Sequence, residues 1–324
     1  MIKILKISSL PTSDNPKSGF HIIKTSNESN DFKFIYVKIN KGKLLKKFQN
    51  LEYYDLGNNS SIFKIIKLLR LIFKINPNII SIHNYKFFLI PIVYKLISFN
   101  KKIFIYTFHG EDKKLILKSK ILLFFFRRMY NELLTLDYNL SNKFSLNFFP
   151  NGMDSNRKKS IINKNSSYFD ILFPASFKDV KNHLKFILFA ENHFHKIPKK
   201  VRVFFAGEGK LKEKCMKICN NGYNKNIEYF FLGTLSTKEL DNYYINTSIC
   251  LLPSKNEAFS KIVIESIQHQ KLLITTDVGS NKYILGKDYK YFISKNLDTI
   301  DDVNVFMSAY NNYHDFKFKD TNVK

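Results

Sequence analysis

The sequence contains no Trp, only 3 Cys and few Arg among its 324 residues. It also has no uncharged apolar run that approaches the roughly 18 residues a membrane span needs. Three Cys without metal-ligand spacing do not fit a disulfide framework and are typical of a reducing cytoplasm. Hydrophobic residues still make up 44% of the chain, which excludes wholesale disorder. A chain of this length is close to the limit for one core, so two domains of about 150 residues are expected.

Acidic residues are also scarce, since 27 Asp and Glu stand against 52 Lys and Arg and leave a net charge of +25. The excess is concentrated in residues 1–160, which hold 28 cations and 10 anions, whereas residues 161–324 hold 24 and 17. A basic half-molecule attracts an anionic partner, either nucleic acid or a membrane surface. The cations are dispersed Lys without a nucleic-acid recognition motif, so we expect an anionic membrane surface and no nucleic acid.

Two segments of the first half combine apolar residues with cations. Ser61–Lys74 fits an ordinary domain helix with its apolar face on a sheet and Lys outside. Lys118–Leu134 is the stronger candidate for a membrane surface, because Phe124–Phe126 directly precede Arg127 and Arg128. We therefore expect a cytoplasmic protein that is peripheral on the inner face of the cytoplasmic membrane.

Short apolar runs alternate with longer segments of helical period. The strand-like runs are Ile2–Ile7, Phe32–Ile39, Ile79–His83, Ile103–Thr107, Asp170–Pro174, Val201–Ala206, Ile227–Leu232, Ile249–Pro253 and Leu272–Thr276. The helix-like segments include Ser61–Lys74, Leu184–Lys196, Leu211–Asn221, Thr237–Ile245, Lys261–Gln270 and Asp301–His314. This alternation predicts an α/β fold with parallel, doubly wound sheets and helices on both faces. Two such domains around a polar linker at Ser155–Ser167 predict a ligand cleft at the carboxyl ends of both sheets.

The segment Leu251–Ile284 carries the strongest chemical signal. A strand ends at its start, a loop delivers Glu257, and a helix that begins near Ser260 carries Glu265. The free N–H groups around Phe259–Lys261 would form an anion site. Two carboxylates eight residues apart, at most about 12 Å along a helix, suit a ligand with a central diphosphate and hydroxyl-bearing sugars at each end. The spacing alone fits two ordinary solvated glutamates equally well.

This segment resembles the nucleotide-sugar site of retaining GT-B glycosyltransferases of family 4, the glycosyl transferases group 1. Glu257 and Glu265 meet the family's E-x7-E signature. The further matches, in the family's order, are Thr107–Gly110, Pro150–Asp154, Lys181–His183, Gly207–Gly209 and Phe231–Gly233. The resemblance covers about residues 105–285, and the first hundred residues match only in style.

The resemblance implies a GT-B architecture with two Rossmann-like doubly wound domains that face a cleft. The N-terminal acceptor-binding domain would comprise residues 1–155, and the C-terminal nucleotide-sugar-binding domain residues 168–300. Residues 301–324 would form a helix and tail that could cross back to the first domain.

The resemblance also implies roles for individual residues. Glu257 would contact the hydroxyls of the donor sugar, Lys181 would pair with the diphosphate, and His109 would approach the reacting carbon. As a lone residue, His109 fits a hydrogen-bonded structural histidine as well. Glu265 would bind the ribose. The other residues that would bind the nucleotide sugar are Gly19, Lys178, Gly207, Gly209, Leu232, Gly233, Phe259, Ser260 and Lys261. Lys178 would supply the charge of an Arg that the family usually carries where this sequence has Ser176.

The expected function is therefore transfer of a hexose or N-acetylhexosamine from a nucleotide sugar, with UDP favoured, to a lipid-linked or growing cell-surface glycan. A polyprenyl-linked glycan is one such acceptor. No metal or other cofactor is expected, because a Lys and a helix N-terminus can stabilise the leaving diphosphate, and Asp301 and Asp302 are expected to cap a helix. The alternative is a non-catalytic protein of the same fold that binds a membrane surface. It is motivated by Ser176 and by a short stretch between Arg127 and Pro150.

Overall fold

The computed structural model describes residues 1–12, 31–46, 51–57, 61–98, 100–109, 120–150, 166–318 and 321. The chain divides into two compact units, Met1–Gly152 and Met153–Lys324. Most of the predicted linker, Ser155–Ser167, lies outside the described residues. No helix in the described ranges combines the length and apolar character that crossing a bilayer requires.

The first unit is built on a seven-stranded sheet in which all the described pairs are parallel. Its strands in chain order are β1 (Ile2–Ser8), β2 (Phe32–Lys38), β3 (Tyr53–Asp55), β4 (Ile79–Ile82), β5 (Ile103–Phe108), β6 (Glu132–Thr135) and β7 (Asn147–Phe148). They lie side by side in the order β3-β2-β1-β4-β5-β6-β7. The central strands are largely buried, with Leu5 and Ile7 of β1, Ile80 and Ile82 of β4, and Phe104, Tyr106 and Phe108 of β5 in the core, as expected for parallel strands covered on both faces.

Four described helices connect these strands: α1 (Ser61–Ile75), α2 (Ile90–Ile97), α3 (Lys120–Met129) and α4 (Tyr138–Phe144). The core between them and the sheet includes Leu68 and Ile72 of α1, Tyr94 of α2 and Phe126 of α3. The short stretch between Arg127 and Pro150 holds β6, α4 and β7, so it still completes the sheet.

The second unit has a six-stranded parallel sheet in the order β10-β9-β8-β11-β12-β13. Its strands are β8 (Tyr168–Phe173), β9 (Lys200–Ala206), β10 (Ile227–Gly233), β11 (Ile249–Leu252), β12 (Leu273–Thr276) and β13 (Phe292–Ile293). Its helices are α5 (His183–His193), α6 (Lys212–Asn220), α7 (Thr237–Asn246), α8 (Lys261–Gln268), α9 (Asn281–Leu285) and α10 (Ile300–Asn312). The predicted α/β class with two doubly wound parallel sheets is thus confirmed.

The last helix, α10, belongs to the second unit. Thr299 and Asp302 form a capping box at its N-terminus, so the predicted capping role is confirmed for Asp302, and the N-cap residue itself is Thr299. Val303, Phe306 and Ala309 are buried in the core of the second unit. These residues tie the helix to the core of the second unit.

A buried histidine lies in the aromatic part of this core. The ring of His183 is stacked on Phe173, with centroids 4.1 Å apart, and on Phe177 at 4.2 Å. Only 1% of His183 is exposed. Burial lowers the pKa of His183 to about 3, because a charged imidazolium is poorly solvated between two phenyl rings.

This shift predicts a stability that falls in acid. The unfolded chain binds a proton on His183 near its ordinary pKa of about 6.5, whereas the folded protein does not until the pH nears 3. Stability from this group is therefore complete above about pH 6.5 and is lost progressively as the pH falls. Replacing His183 with Phe should flatten the dependence of the melting temperature on pH between 4 and 7. An unchanged slope in H183F would contradict the assignment.

Candidate functional site

An ion pair joins two loops of the second unit. Lys181 lies in a short 3-10 turn, Asp179–Lys181, after β8, and Glu257 lies in the loop after β11. The ammonium group of Lys181 contacts Oε1 of Glu257, and the two side chains are only 19% and 13% exposed. Because β8 and β11 are parallel neighbours, their carboxyl ends meet at one edge of the sheet. The structure therefore brings together the two residues of this unit for which catalytic roles were predicted.

A second contact also holds the carboxylate of Glu257. The hydroxyl of Ser254 donates to the same oxygen, Oε1, at 2.7 Å. Within the part of the chain that the structure describes, Oε2 of Glu257 has no hydrogen-bond partner. The site therefore presents an oriented carboxylate oxygen, which is the acceptor that a sugar hydroxyl requires.

Backbone contacts fix the two loops against each other. The amide of Lys255 donates to the carbonyl of Val180 at 2.8 Å, and its ammonium group pairs with Asp179 at 2.9 Å. These bonds link the residues immediately beside Lys181 and near Glu257. The ion pair thus sits in a frame of backbone contacts.

Gly279 allows a third loop, after β12, to close on this frame. It has a φ of +58°, and a Cβ built on it would lie 2.4 Å from the carbonyl oxygen of Glu257 and 2.7 Å from that of Ala258. The next residue, Ser280, donates to the carbonyl of Ala258 from its amide at 3.1 Å and from its hydroxyl at 3.0 Å. Only glycine satisfies both the left-handed backbone and the close approach.

Gly207 and Gly209 pack the loop after β9 against the loop after β8. A Cβ on Gly207 would lie 2.2 Å from the carbonyl oxygen of Ala175, and one on Gly209 would lie 2.6 Å from that of Phe177. The amide of Phe177 donates to the carbonyl of Glu208 at 3.1 Å. The predicted glycines therefore lie at the segment that leads to the Lys181 turn, and close backbone packing explains their identity.

The N-terminus of α8 follows Glu257 by a few residues. Ser260 is its N-cap residue and is 3% exposed, but its side chain makes no capping hydrogen bond. The first amide N–H groups of a helix have no intrahelical acceptor, and the helix dipole makes this end partly positive. Of its predicted neighbours, Phe259 is half-buried and Lys261 is exposed. The arrangement can accept an anion such as a phosphate.

The family to which this chain belongs follows from a direct comparison. The sequence model of the family "Glycosyl transferases group 1" matches residues 154–317, which span the ion pair, the glycine loops and α8. The chain belongs to the glycosyl transferases group 1 family. No curated protein matches it.

Solved GT-B structures share the fold of this group 1 protein. TarM superimposes with a TM-score of 0.72 at 11% identity, over 98% of this chain and 94% of TarM. The lipopolysaccharide outer core galactosyltransferase WaaB gives a TM-score of 0.70 at 13% identity, over 96% of this chain and 90% of WaaB. HepE of Anabaena, solved with UDP-glucose, gives a TM-score of 0.69 at 12% identity, over 98% of this chain and 96% of HepE. At these identities the likeness shows the fold alone.

Glu265, the second glutamate of the signature, is deeply placed in the second unit. It lies in the second turn of α8, is 6% exposed, and accepts a hydrogen bond from the hydroxyl of Tyr244 at 3.2 Å. The contact with Tyr244 on α7 is not visible in the sequence pattern, because the two residues lie on different helices. The structure therefore adds an internal packing role to the predicted ribose contact.

The remaining predicted residues of the nucleotide-sugar group are distributed along neighbouring loops. Lys178 is exposed beside the Lys181 turn, and Ser176 is half-buried before it. Leu232 and Gly233 end β10, where Gly233 has a φ of +69°. Gly19 lies outside the described residues.

His109 follows β5 in the first unit and is paired with a histidine that the sequence analysis did not single out. Nε2 of His109 lies 3.3 Å from Nδ1 of His83, whose Nε2 lies 3.0 Å from the hydroxyl of Ser81. Burial lowers the pKa of His109 to about 4, so the imidazole is neutral at physiological pH. The signal for His83 was available: it directly follows β4, the neighbour of β5, so the two histidines end adjacent strands.

The packing of Gly279 gives a test of the frame around Glu257. Gly279→Ala should lower the free energy of unfolding by clearly more than the 1–2 kcal/mol or so that a left-handed alanine costs by itself, because its Cβ must displace the backbone of Glu257. Gly57→Ala is the matched control, since Gly57 has a φ of +69° but nothing within 4 Å of its Cβ position. Urea unfolding of both variants measures the difference. Equal losses of unfolding free energy in the two variants would contradict the close packing of Gly279 against the backbone of Glu257.

Proposed function

We propose that this group 1 protein is a retaining, metal-independent glycosyltransferase of family 4. It transfers a hexose or N-acetylhexosamine from a nucleotide sugar, with UDP favoured over GDP. The observation that carries the proposal is the Lys181–Glu257 pair, held just before the uncapped N-terminus of α8. The names of two structural neighbours support it, since HepE was solved with UDP-glucose and WaaB is a galactosyltransferase.

The chain's own groups match the charge that develops during transfer. Departure of a nucleoside diphosphate leaves negative charge on a phosphate oxygen, and a preorganised cation and amide donors can stabilise it. Lys181 supplies the cation, and the first turn of α8 supplies the N–H groups. Glu257 faces the donor sugar and accepts its hydroxyls. Lys178, exposed one turn earlier, adds a second positive charge in place of the Arg that Ser176 replaces.

The other residues take roles that the resemblance implies. Glu265 contacts the ribose, while the two loops that contain Gly207, Gly209, Leu232 and Gly233 line the nucleotide. Gly19 lets the backbone approach the phosphate. His109 contacts the transferred sugar, and its neutral state, supported by the lowered pKa, suits a hydrogen bond better than a charge–charge contact.

The acceptor in this proposal is a lipid-linked or growing cell-surface glycan, such as a polyprenyl-linked one, in polysaccharide biosynthesis of the cell envelope. The protein would work in the cytoplasm as a peripheral protein on the inner face of the cytoplasmic membrane. The concentration of positive charge in residues 1–160 supports this location, because an anionic bilayer attracts it.

Replacing Glu257 with Gln should reduce transfer by about 100- to 1000-fold, the usual loss when one preorganised polar contact to the transition state is removed. The measurement is release of UDP from UDP-sugars, with GDP-sugars assayed in parallel and the anomeric configuration of the product read by NMR. A retained configuration is expected.

Glu213→Gln is the matched control, because Glu213 is an exposed glutamate of α6 and has no role in the site. It should keep the activity of the natural protein. If natural protein and E257Q are equally inert with all UDP- and GDP-sugars, while both melt cooperatively, the transferase proposal fails and the non-catalytic alternative stands.

Removing divalent metal should leave the rate unchanged. In the proposed mechanism Lys181 and the N-terminus of α8 replace a metal as the partner of the diphosphate. Transfer is measured after dialysis against EDTA and again after adding Mg²⁺ or Mn²⁺. A loss of activity that either metal restores would contradict metal independence without affecting the assignment of Glu257.

A further inference from the structure

Three helices of the first unit lie side by side on its sheet. They connect β3 to β4 (α1), β4 to β5 (α2) and β5 to β6 (α3), and right-handed crossovers in one direction place them on one face. Phe73 of α1 stacks on Tyr94 of α2 with ring centroids 5.3 Å apart. Lys95 of α2 donates to the carbonyl of Met129, the last residue of α3, at 3.3 Å. Their outward sides therefore form one continuous area, called here the three-helix surface.

The three-helix surface is unusually apolar. Among the residues that the structure describes, 22 large hydrophobic residues are exposed, and half of them lie on these three helices or the N-cap of α2. They are Ile62, Phe63, Ile66, Phe73, Leu89, Ile92, Leu96, Ile97, Ile121, Phe124 and Phe125. Leu96 is 80% exposed, and Ile62 and Ile121 are each 71% exposed. Single exposed apolar residues are ordinary, but a set that covers three adjacent helices marks an interaction surface.

The charge on the same helices has one sign. The sequences of α1, α2 and α3 contain 8 Lys and Arg and no Asp or Glu. By contrast, the six helices of the second unit contain 7 of each sign. The lysine-rich composition of the chain therefore does not explain the missing acids. A partner of this surface must be anionic as well as able to accept apolar side chains.

Apolar and cationic residues share the exposed side of α1. At 100° per residue, exposed Ile62, Ile66 and Phe73 fall within an arc of about 40°. Exposed Arg70, Lys74 and Lys67 fall within an arc of about 60° that begins about 40° further on and also contains exposed Phe63. On α3, the guanidinium of Arg128 lies over the ring of Phe124, 5.0 Å from its centroid. Apolar and cationic groups thus stand next to each other on the outer sides of the helices.

We propose that the three-helix surface docks the protein on an anionic phospholipid bilayer, with the apolar side chains inserted among the lipid headgroups and the cations on the phosphates. An RNA would use the cations but would leave eleven apolar side chains in water. A bilayer interface accommodates both. This surface would bring the proposed transferase to its lipid-linked acceptor, so the inference rests on the proposed function. Vesicle binding needs no donor sugar, so the failure of either proposal can be recognised separately.

The charged part of the proposal is tested by co-sedimentation of the full chain with vesicles of phosphatidylcholine alone or with 30–40% or so phosphatidylglycerol. The double variant Arg70→Gln and Lys74→Gln should bind the anionic vesicles about thirtyfold more weakly, since each basic residue near the surface contributes about 1 kcal/mol. Lys287→Gln with Lys290→Gln is the matched control, because both lysines are exposed in the second unit and the net charge changes equally. That control should bind almost as the natural protein does.

The apolar part is tested with Phe124→Ser and Phe125→Ser, whose rings are 54% and 52% exposed and so are not needed for the core. This variant should lose the binding that persists at 0.5 M or so NaCl, where exposed charges are screened. Thermal melting shows whether each variant is folded. The proposal is overturned if the natural protein binds neither kind of vesicle, or if R70Q/K74Q and K287Q/K290Q bind the anionic vesicles equally well. It is also overturned if the natural protein binds an RNA oligonucleotide but no vesicles, and R70Q/K74Q loses the RNA binding.

Discussion

The parallel pairing of β8 with β11 is the constraint on which the candidate site depends. It places the ends of two strands, and so the loops that carry Lys181 and Glu257, at the same edge of one sheet although the residues are 76 positions apart. The hydrogen bond between Lys255 and Val180 then sets the distance between the loops. Any shift in the register of these strands would separate the two charged side chains. The chemistry of the site is therefore a consequence of the order of strands in the sheet.

Two half-buried charges at this edge stabilise each other before any ligand binds. Loss of one partner from a buried ion pair leaves the other uncompensated and costs about 3–5 kcal/mol, so the pair also holds the loops in place. A diphosphate would give Lys181 a second anion without removing the first. Oε2 of Glu257 remains available to accept a hydrogen bond from a sugar hydroxyl. The same contact thus orients the two side chains that the proposed mechanism uses.

The sequence predicted the parts of the fold that have long periodic segments. Strands such as Ile2–Ser8 and helices such as Ser61–Ile75 lie where the apolar pattern indicated them. The edge strands Tyr53–Asp55, Asn147–Phe148 and Phe292–Ile293 were missed, because two or three residues are too few to show an alternation. The last helix, Ile300–Asn312, lies where the sequence pattern indicated it.

The candidate site was predictable to the extent that it consists of residues in a recognisable order. The resemblance named Glu257 and Lys181, yet their contact is a tertiary fact that spacing along the chain does not contain. Gly279 was predicted only as a turn, and its reason is the carbonyl of Glu257, 2.4 Å from where a Cβ would lie. His83 ends a strand-like run in the sequence, but its pairing with His109 depends on the adjacency of β4 and β5, which the sequence pattern does not contain.

Acidic and basic residues are distributed differently in the two units, which the overall composition does not show. A net charge of +25 would suggest a molecule that is basic everywhere. In the second unit, however, acids pair with cations, as Glu257 does with Lys181 and Asp170 with Arg202. The sequences of α1, α2 and α3 contain no acid, and of their cations Lys67 lies near the carboxylate of Asp55 in β3. Paired charges hold side chains in fixed positions, whereas an excess of positive charge attracts a large anionic surface over a distance. The distribution of the acids, more than that of the lysines, therefore distinguishes the second unit from the three-helix surface of the first.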